Sequence, residues 1–329
     1  MADSKQLYHT ADLSTSNFLV TGGAGFIGSN LIRYLLSHGA GKVRILDNLS
    51  TGFKKNIDEF TDHPAFEFIE GDIRDLETCK RACKGIDYIS HQAALGSVPR
   101  SIYDPITTNQ VNVDGFMNML VAARDEKVKR MIYAASSSTY GDSRELPKRE
   151  DKIGNPLSPY AVTKLVNELY ADVFRKSYQL DSIGLRYFNV FGPKQDPEGA
   201  YAAVIPLFIR AALNGSPALI NGDGNQTRDF TYIENVIQAN VKAMLYSGIL
   251  PHQVYNVACG ERISLNDLWA LIKSLNNSGS GEIHRESRIG DIQDSLADIS
   301  RIRTDLGYHP FFSVKDGLKL TLYWSQNKQ

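Results

Sequence analysis

Short apolar runs alternate with longer stretches of helical periodicity through the first half of the chain. The runs have the length and β-branched content of buried strands, and the longer stretches repeat apolar residues every three or four positions. Such alternation predicts right-handed crossovers and a parallel sheet covered by helices, which is an α/β fold. The predicted strands are 17–21, 43–47, 66–69, 88–90, 130–135 and 182–185, and the predicted helices among them are 25–38, 76–83, 104–127 and 159–178.

The regular alternation loosens after position 186, where helices at 203–214, 233–247 and 265–275 lie among short strands and Gly/Asp turns. We therefore expect a Rossmann-type, doubly wound parallel-sheet domain over 1–185. A smaller C-terminal α/β substrate-binding lobe over 186–329, partly interleaved with it, should pack at the carboxyl edge of the sheet, where open α/β folds bind ligands. The polar N-terminal extension 1–16 is either a frayed tail or an arm lying over the second lobe.

The overall charge of the chain is nearly neutral. Its 329 residues carry a formal net charge of -1, with 42% hydrophobic and 22% charged residues, as in an ordinary globular protein. This balance argues against a nucleic-acid or anionic-membrane partner, so local arginines and backbone amides must hold any anionic ligand. The sequence shows neither an apolar window of the roughly 18 residues that a membrane span needs nor a signal-peptide pattern, and we expect a cytoplasmic protein.

Three cysteines, Cys79, Cys83 and Cys259, are an odd number in a long chain and do not form a disulfide framework. They indicate a reducing compartment. Cys79 and Cys83 have helical i, i+4 spacing, but no histidine or second cysteine pair completes a metal site. We expect them to pack in the core and expect no bound metal.

A Gly-rich turn, TGGAGFIG, follows the first predicted strand directly. Gly22, Gly25 and Gly28 would permit a tight turn, close backbone approach to a pyrophosphate, and contact between helix and strand. The helix that begins there offers its unpaired amides and the positive end of its dipole to phosphate groups. This context predicts a dinucleotide site.

An acidic residue, Asp47, ends the second predicted strand. A carboxylate there accepts hydrogen bonds from ribose hydroxyls and repels a 2′-phosphate, although it could simply cap the turn. Asn48 follows it rather than a basic residue, so the sequence favours NAD over NADP. Asp72 after the third strand is placed to meet the adenine. His91 in the HQAA segment that ends the fourth strand is expected to be structural.

A serine cluster and a Tyr-x-x-x-Lys pair follow in the chain. Tyr160 and Lys164 stand one helical turn apart, so both side chains share a face. Free tyrosine has a pKa near 10, and a lysine cation together with the positive nicotinamide ring would favour the phenolate and make Tyr160 a proton acceptor. Lys164 can also hold a ribose hydroxyl. A serine of Ser136–Ser138, at the end of the fifth strand, would hydrogen-bond the substrate oxygen.

The order of TGGAGFIG, HQAA, SSSTYG, YAVTK and LRYFNVFGP resembles the extended short-chain dehydrogenase/reductase superfamily over nearly the whole chain. The resemblance implies that Ser136 is the catalytic serine, with Ser137 and Ser138 facing the substrate. The implied catalytic residues are Ser136, Ser138, Tyr160 and Lys164. The implied cofactor contacts are Gly22, Gly25, Phe26, Ile27, Gly28, Asp47, Asn48, Gly52, Asp72, Ile73, Gln92, Ala93, Tyr160 and Lys164.

Three reaction types share this scaffold. The dehydratases carry an Asp–Glu pair where this chain has Ser137 and Ser138, and the decarboxylases usually carry a glutamate at Ser138. LGSVPRS, NPLSPYAVTK, INGDGNQTRDF and the N-terminal extension are most similar to the UDP-N-acetylglucosamine 4-epimerases of bacterial polysaccharide type. This resemblance implies reversible C4 epimerisation of UDP-N-acetylglucosamine and UDP-N-acetylgalactosamine through a 4-keto sugar. The alternatives are a UDP-glucuronate or UDP-glucose 4-epimerase and a non-catalytic NAD-binding regulator.

The same resemblance implies a substrate cradle and a partner. Ser295 would control the space at C2 of the sugar, where a small residue admits an N-acetyl group. Relatives pair helices corresponding to 104–127 and 159–178 with their copies, which implies a homodimer. The implied substrate residues are Gly96, Ser97, Ser137, Ser138, Asn189, Ala203, Val204, Leu219, Asn221, Arg228, Arg262, Arg288, Asp291 and Ser295. An exposed arginine could also be only a solvated surface charge, and Ser295 could only cap a turn.

Overall fold

A seven-stranded parallel sheet lies at the centre of the computed structural model, which describes residues 6–199, 202–286 and 293–327. The strands of the protein are β1 (Asn17–Thr21), β2 (Lys42–Asp47), β3 (Phe66–Glu70), β4 (Tyr88–His91), β5 (Arg130–Ser136), β6 (Ser182–Tyr187), β7 (Val190–Phe191), β8 (Ala218–Asn221), β9 (Thr227–Arg228), β10 (Thr231–Tyr232), β11 (Val254–Val257), β12 (Ile263–Ser264) and β13 (Glu282–Arg285). The sheet order is β11-β6-β5-β4-β1-β2-β3. This order confirms the predicted doubly wound α/β fold, because helices flank the sheet.

The helices of the structure include all the predicted ones, and the helices at 98–103, 300–306 and 314–326 are not predicted from the sequence. In chain order the helices are α1 (Phe26–Ser37), α2 (Leu76–Cys83), α3 (Val98–Tyr103), α4 (Pro105–Asn109), α5 (Gly115–Asp125), α6 (Pro159–Tyr178), α7 (Val204–Asn214), α8 (Ile233–Leu245), α9 (Leu265–Asn276), α10 (Ser300–Leu306) and α11 (Val314–Gln326). The Asp75 carboxylate caps α2, and the Ser158 hydroxyl caps α6 ahead of Pro159. Both helices have the predicted bounds, since cap and proline fix where a helix begins.

The predicted helix 104–127 corresponds to a continuous helical run over 105–125, but its middle is not α-helical. Asp104 caps α4, and the helix then opens into a π turn at Gln110–Asp114 before α5 begins. A π turn accommodates an extra residue and is frequent at functional sites. Here it accompanies an inward Asn112, whose amide holds Leu95 at 2.8 Å and Thr163 of α6 at 3.1 Å. Apolar periodicity reports which face is buried and does not reveal this local change.

The second part of the chain contributes to both lobes. β6 crosses position 185, and β11 returns to the edge of the main sheet beside β6. α8 also packs against β4, β5 and β6. The remaining short strands form three two-stranded sheets, β10-β7, β12-β9 and β13-β8. The chain therefore passes between the sheet and the smaller lobe more than once.

Two apolar clusters form the core, and Cys79 and Cys83 lie fully buried in the smaller of them. Cys259 is also buried, and all three thiols are free. Within the described ranges, no group of three or more His, Cys, Asp or Glu side chains could hold a metal ion. In the same part of the chain, no helix is long and apolar enough to cross a membrane.

The described part of the N-terminal extension packs against both lobes. The Tyr8 ring is buried and stacks on Tyr34 of α1 at 5.2 Å and on Phe311 at 6.3 Å. The Tyr8 hydroxyl donates to Glu234 at the start of α8, at 3.3 Å. Leu13 is buried as well. Residues 6–16 are therefore an arm that joins α1 to the second lobe, as one of the two sequence interpretations proposes.

Candidate active site

The Gly-rich turn between β1 and α1 has little room for side chains. Gly22 has φ +66°, and a Cβ on it would lie 2.7 Å from the backbone nitrogen of Ala93. A Cβ on Gly28 would collide with the backbone of Gly22. Gly25 precedes α1 and has no side chain that could cap the helix, so the first amides of α1 remain available to a phosphate.

All of the predicted cofactor residues outside α6 line one cleft above this turn. They are Gly22, Gly25, Phe26, Ile27, Gly28, Asp47, Asn48, Gly52, Asp72, Ile73, Gln92 and Ala93. The predicted substrate residue Gly96 lies at the same cleft. Ser50, Thr51 and Arg100 also line it, although the sequence analysis does not identify them. Arg100 belongs to the short α3, whose helical pattern is too brief to be recognised.

The Asp47 carboxylate accepts hydrogen bonds from two backbone N–H groups of the protein. Its Oδ2 accepts the Ala24 N–H at 2.9 Å, and its Oδ1 accepts the Leu49 N–H at 2.8 Å. Burial raises the pKa of Asp47, and these two N–H groups oppose that effect. Asp47 therefore does cap the turn. Each carboxylate oxygen has a second lone pair, so a contact with ribose hydroxyls is chemically compatible with this role and remains our proposal.

The other acidic and basic groups of the cleft are paired. Arg74 holds the Asp72 carboxylate at 2.7 Å, and Asn48 donates to it at 2.8 Å. The Arg74 hydrogen bond is the largest cause that lowers the pKa of Asp72 to about 2. His91 is buried against Thr21 at 2.8 Å, and burial lowers the pKa of His91 to about 3. A neutral, hydrogen-bonded His91 fits a structural role.

The predicted catalytic residues come together where β5 ends beside α6. Ser136 Oγ accepts the Ser138 hydroxyl at 2.9 Å, and the Ser136 hydroxyl lies close enough to the Tyr160 phenol to lower its pKa. Lys164 Nζ donates to the Ala134 carbonyl of β5 at 2.7 Å and lies 5.9 Å from the centre of the Tyr160 ring. Ser137 and Ser138 begin a short 3-10 helix, Ser137–Tyr140, at the same edge. The arrangement can hold a sugar hydroxyl between a serine and a phenol.

The electrostatics of this group differ from the expectation based on sequence. Burial raises the pKa of Tyr160, and the Ser136 hydrogen bond offsets this only in part. Burial also lowers the pKa of Lys164 to about 8. The charge of Lys164 therefore does not by itself turn Tyr160 into a phenolate, because removal from water disfavours both charged forms.

Asn112 is a buried residue of the site that the sequence analysis misses. It lies in the π turn and connects the loop at Leu95 to Thr163, and the Thr163 hydroxyl in turn donates to the Tyr160 carbonyl at 2.8 Å. A buried asparagine in the middle of a helical pattern was the available signal. Such a residue interrupts an otherwise apolar face and needs polar partners.

Several predicted substrate residues meet around β9 in the second lobe. β9 pairs with β12, and the Ser295 N–H donates to the Thr227 carbonyl at 3.1 Å, so Arg228, Arg262 and Ser295 are brought to one place. Ser295 is buried. The others in the described ranges are Asn189 after β6, Ala203 and Val204 at the start of α7, Leu219 and Asn221 on β8, and Ser97, which caps α3.

Two of the predicted cations differ in their surroundings. Arg228 donates to the backbone carbonyls of Thr227 and Gln293, whereas the exposed Arg262 pairs with Asp294 at 3.3 Å. A phosphate would have to compete with Asp294 for Arg262. The predicted Arg288 and Asp291 lie outside the described residues.

The chain matches a known protein family over most of its length. The family is described as "Epimerase: NAD dependent epimerase/dehydratase family", and the match spans residues 18–258. This span contains the Gly-rich turn and the Ser136, Tyr160 and Lys164 group.

Similar proteins cover nearly the whole chain. The UDP-glucose 4-epimerase of Mycolicibacterium smegmatis is 37% identical over 312 residues, 94% of this chain and 98% of that protein. A structure of UDP-N-acetylglucosamine 4-epimerase from Methanobrevibacter ruminantium M1, in complex with UDP-N-acetylmuramic acid, has a TM-score of 0.89 and 38% identity, covering 95% of this chain and 99% of that chain. UDP-glucuronic acid 4-epimerase from Bacillus cereus, in complex with UDP-glucuronic acid and NAD, has a TM-score of 0.88 and 31% identity over 95% of this chain and 100% of that chain.

We expect Asp47→Asn to lose most of its discrimination against NADP, because the variant keeps the side-chain shape and removes the charge that repels a 2′-phosphate. Calorimetry on nucleotide-stripped protein should show the ratio of the NADP and NAD dissociation constants falling at least about tenfold, or about 1.4 kcal/mol. Asp72→Asn is the matched control, since Arg74 already neutralises Asp72. If the ratio of the NADP and NAD dissociation constants is the same in Asp47→Asn and in the unaltered protein, Asp47 does not discriminate against NADP.

Proposed function

The chain belongs to the NAD dependent epimerase/dehydratase family, and from that premise we propose that it interconverts UDP-N-acetylglucosamine and UDP-N-acetylgalactosamine by inverting C4. NAD is its cofactor. The observation that carries the proposal is the group of Ser136, Ser138 and Tyr160, which offers hydroxyls to the sugar. Ser137 and Ser138 occupy the positions where dehydratases carry an acid pair. Such a site can move one proton and is not built to eliminate water.

In the proposed reaction, Tyr160 accepts the proton of the sugar 4-hydroxyl while Ser136 hydrogen-bonds the same oxygen. The residues of the cleft above the Gly-rich turn would hold NAD, and bound NAD would supply the hydride acceptor, and then the hydride donor, for C4 of the sugar. Between the two transfers the sugar rotates, tethered through its UDP group. The proton on Tyr160 then returns to O4, so proton and hydride balance over the cycle.

The ionisation of the Tyr160 phenol depends on burial and on the positive charges near it. Burial raises the pKa of the phenol, so a positive charge must approach before Tyr160 becomes an effective base at neutral pH. Lys164 and, when NAD is bound, the oxidised nicotinamide ring would supply positive charge beside the phenol. We infer that bound NAD supplies the larger effect, because burial makes Lys164 itself easier to deprotonate.

The proposed UDP-binding site combines backbone amides with side chains. α7 begins after Ala203, which has no polar side chain, so its first amides are available to the diphosphate as those of α1 are to the cofactor. Asn189 and Arg228 would contact the diphosphate and sugar, with Leu219 and Asn221 at the uracil. A guanidinium suits phosphate oxygens because it can bind two at once.

We expect the purified protein to convert UDP-N-acetylglucosamine to UDP-N-acetylgalactosamine, and the anomeric proton signals in NMR measure this conversion. Tyr160→Phe should lower kcat at least about a hundredfold, since general acid–base groups contribute 10²–10⁴-fold. Nucleotide-sugar binding should survive. Tyr178→Phe, an exposed tyrosine at the end of the same helix, is the matched control. UDP-glucose and UDP-glucuronate complete the panel, and preferential turnover of either would replace the proposed substrate. Turnover of none would support a non-catalytic NAD-binding protein.

Sugar size provides a separate test of the substrate. Ser295→Tyr should fill the space beside C2, and overpacking of this kind costs about 1–3 kcal/mol, or roughly five- to hundredfold in rate. The loss should be confined to N-acetylated sugars. The measurement is the ratio of kcat/KM for UDP-N-acetylgalactosamine to that for UDP-galactose. Ser300→Tyr, at an exposed position five residues on, is the control for misfolding. An unchanged ratio in Ser295→Tyr would remove Ser295 from this role.

We also propose a homodimer formed through α3, α4 and α6, whose outer faces carry exposed apolar side chains. Ile106 is 70% exposed and Leu169 is 60% exposed. α3 and α4 both contact α6, and exposed apolar side chains on neighbouring helices are the kind of surface that forms interfaces. We expect light scattering at micromolar concentration to give a dimer mass, and Leu169→Glu to give a monomer, because the charge would be buried without a partner. Ile249→Glu, at a residue that is 87% exposed elsewhere, should leave the mass unchanged.

A further inference from the structure

A fully buried carboxylate, Asp229, lies immediately after β9. Its Oδ1 accepts the Cys259 N–H at 3.0 Å, and its Oδ2 accepts the N–H groups of Gly260 at 3.1 Å and Ala297 at 3.2 Å. Burial raises the pKa of Asp229 to about 7, and the three N–H groups oppose this by favouring the charged form. One side chain thus holds the loop after β11 and the segment at 297 together.

The backbone of the same residue holds a third segment. The Asp229 carbonyl accepts Asn189 Nδ2 at 3.0 Å, and the Asn189 carbonyl accepts the Thr231 N–H at 3.3 Å. Asn189 has φ +34°, which non-glycine residues rarely adopt without support. We call Asp229, Asn189, Cys259, Gly260 and Ala297 the Asp229 junction.

Thr227, two residues before Asp229, is hydrogen-bonded to Asp294 and Ser295. Its hydroxyl is hydrogen-bonded to Asp294 Oδ1 at 2.5 Å, and its carbonyl accepts the Ser295 N–H at 3.1 Å. Asn189 is a member of the junction, and Arg228, Arg262 and Ser295 each stand within two residues of a junction member. All four are substrate residues in the proposed function. They come from four distant parts of the chain, so their relative positions depend on these few bonds.

We propose that Asp229, assisted by Thr227, is a positioning residue that assembles the nucleotide-sugar site of the second lobe. This inference rests on the proposed function for the identity of the ligand. The junction bonds join the segments that follow β6, β9 and β11 and the segment at 297, whereas Ser136 and Tyr160 lie on β5 and α6. Weakening the junction should therefore reduce the affinity for UDP and leave the chemical step largely unchanged.

Asp229→Asn tests this directly, because it keeps the side-chain shape and replaces one acceptor oxygen with an N–H donor that faces backbone N–H groups. We expect calorimetry with UDP to show a dissociation constant roughly ten- to hundredfold higher, since displacements near 1 Å have effects of that order. KM for UDP-N-acetylglucosamine should rise by a similar factor. The kcat at saturating substrate should stay within about threefold, and the amount of bound NAD should not change.

Gln238→Met is the matched control. Gln238, on α8, is also fully buried and also accepts a backbone N–H, that of His309 at 2.9 Å, away from the junction. Its loss should lower the melting temperature as Asp229→Asn does and leave UDP binding unchanged. Equal UDP affinity in Asp229→Asn and the unaltered protein, or equal losses in Asp229→Asn and Gln238→Met, would overturn the proposal. If the unaltered protein binds UDP but turns over no sugar, the proposed function fails while the UDP titration still decides on the junction.

Thr227→Val provides a second, milder variant if Asp229→Asn does not fold. It nearly preserves volume and removes only the bond to Asp294. We expect weaker UDP binding in the same direction, with a smaller factor than for Asp229→Asn, and a rise in KM with kcat retained. UDP affinity identical to that of the unaltered protein in a folded Thr227→Val would overturn the proposal.

Discussion

A buried ion pair between Glu168 and Arg186 holds the helix that carries the reacting groups against the sheet. Arg186, near the end of β6, donates to both carboxylate oxygens of Glu168 on α6, at 2.8 and 2.7 Å. Its guanidinium also lies 4.8 Å from the centre of the Tyr140 ring, next to the serine turn. Removing one partner of a buried pair typically costs 3–5 kcal/mol, because the other charge remains unpaired. The mutual placement of Ser136 and Tyr160 therefore depends on a bond that touches neither.

Two helix N-termini share the design of an anion site. α1 follows Gly25 and α7 follows Ala203, neither of which has a polar side chain to cap its helix. Serine or aspartate at such a position would stabilise the helix and occupy the amides that a phosphate needs. In a chain with a net charge of -1, these two helix ends would supply local positive potential for the phosphates of the proposed ligands.

The sequence predicts the elements whose signals are local, and misses those that arise from distant contacts. α6 is predicted to the residue, since Ser158 and Pro159 mark its start. The π turn at Asn112 is missed, because its partners at Leu95 and Thr163 lie 17 and 51 positions away. The predicted cofactor residues outside α6 line one cleft because one contiguous turn and three strand ends create it. The short strands of the second lobe hold two residues each in several cases, too few for an alternation to be seen.

The residues proposed for catalysis and those proposed for substrate choice lie in different parts of the architecture, and the two parts should tolerate change differently. Ser136, Tyr160 and Lys164 lie on β5 and α6, inside the regular sheet and under the Glu168–Arg186 pair. The residues proposed to determine which sugar is accepted lie on loops of the second lobe that converge on Asp229. A loop residue such as Ser295 can therefore change in size while the reacting atoms keep their positions. A change at Asp229 itself would move several loops together, because its carboxylate binds two chain segments and its carbonyl binds a third. Substrate range in this protein should thus vary through single loop residues, with the junction beneath them held constant.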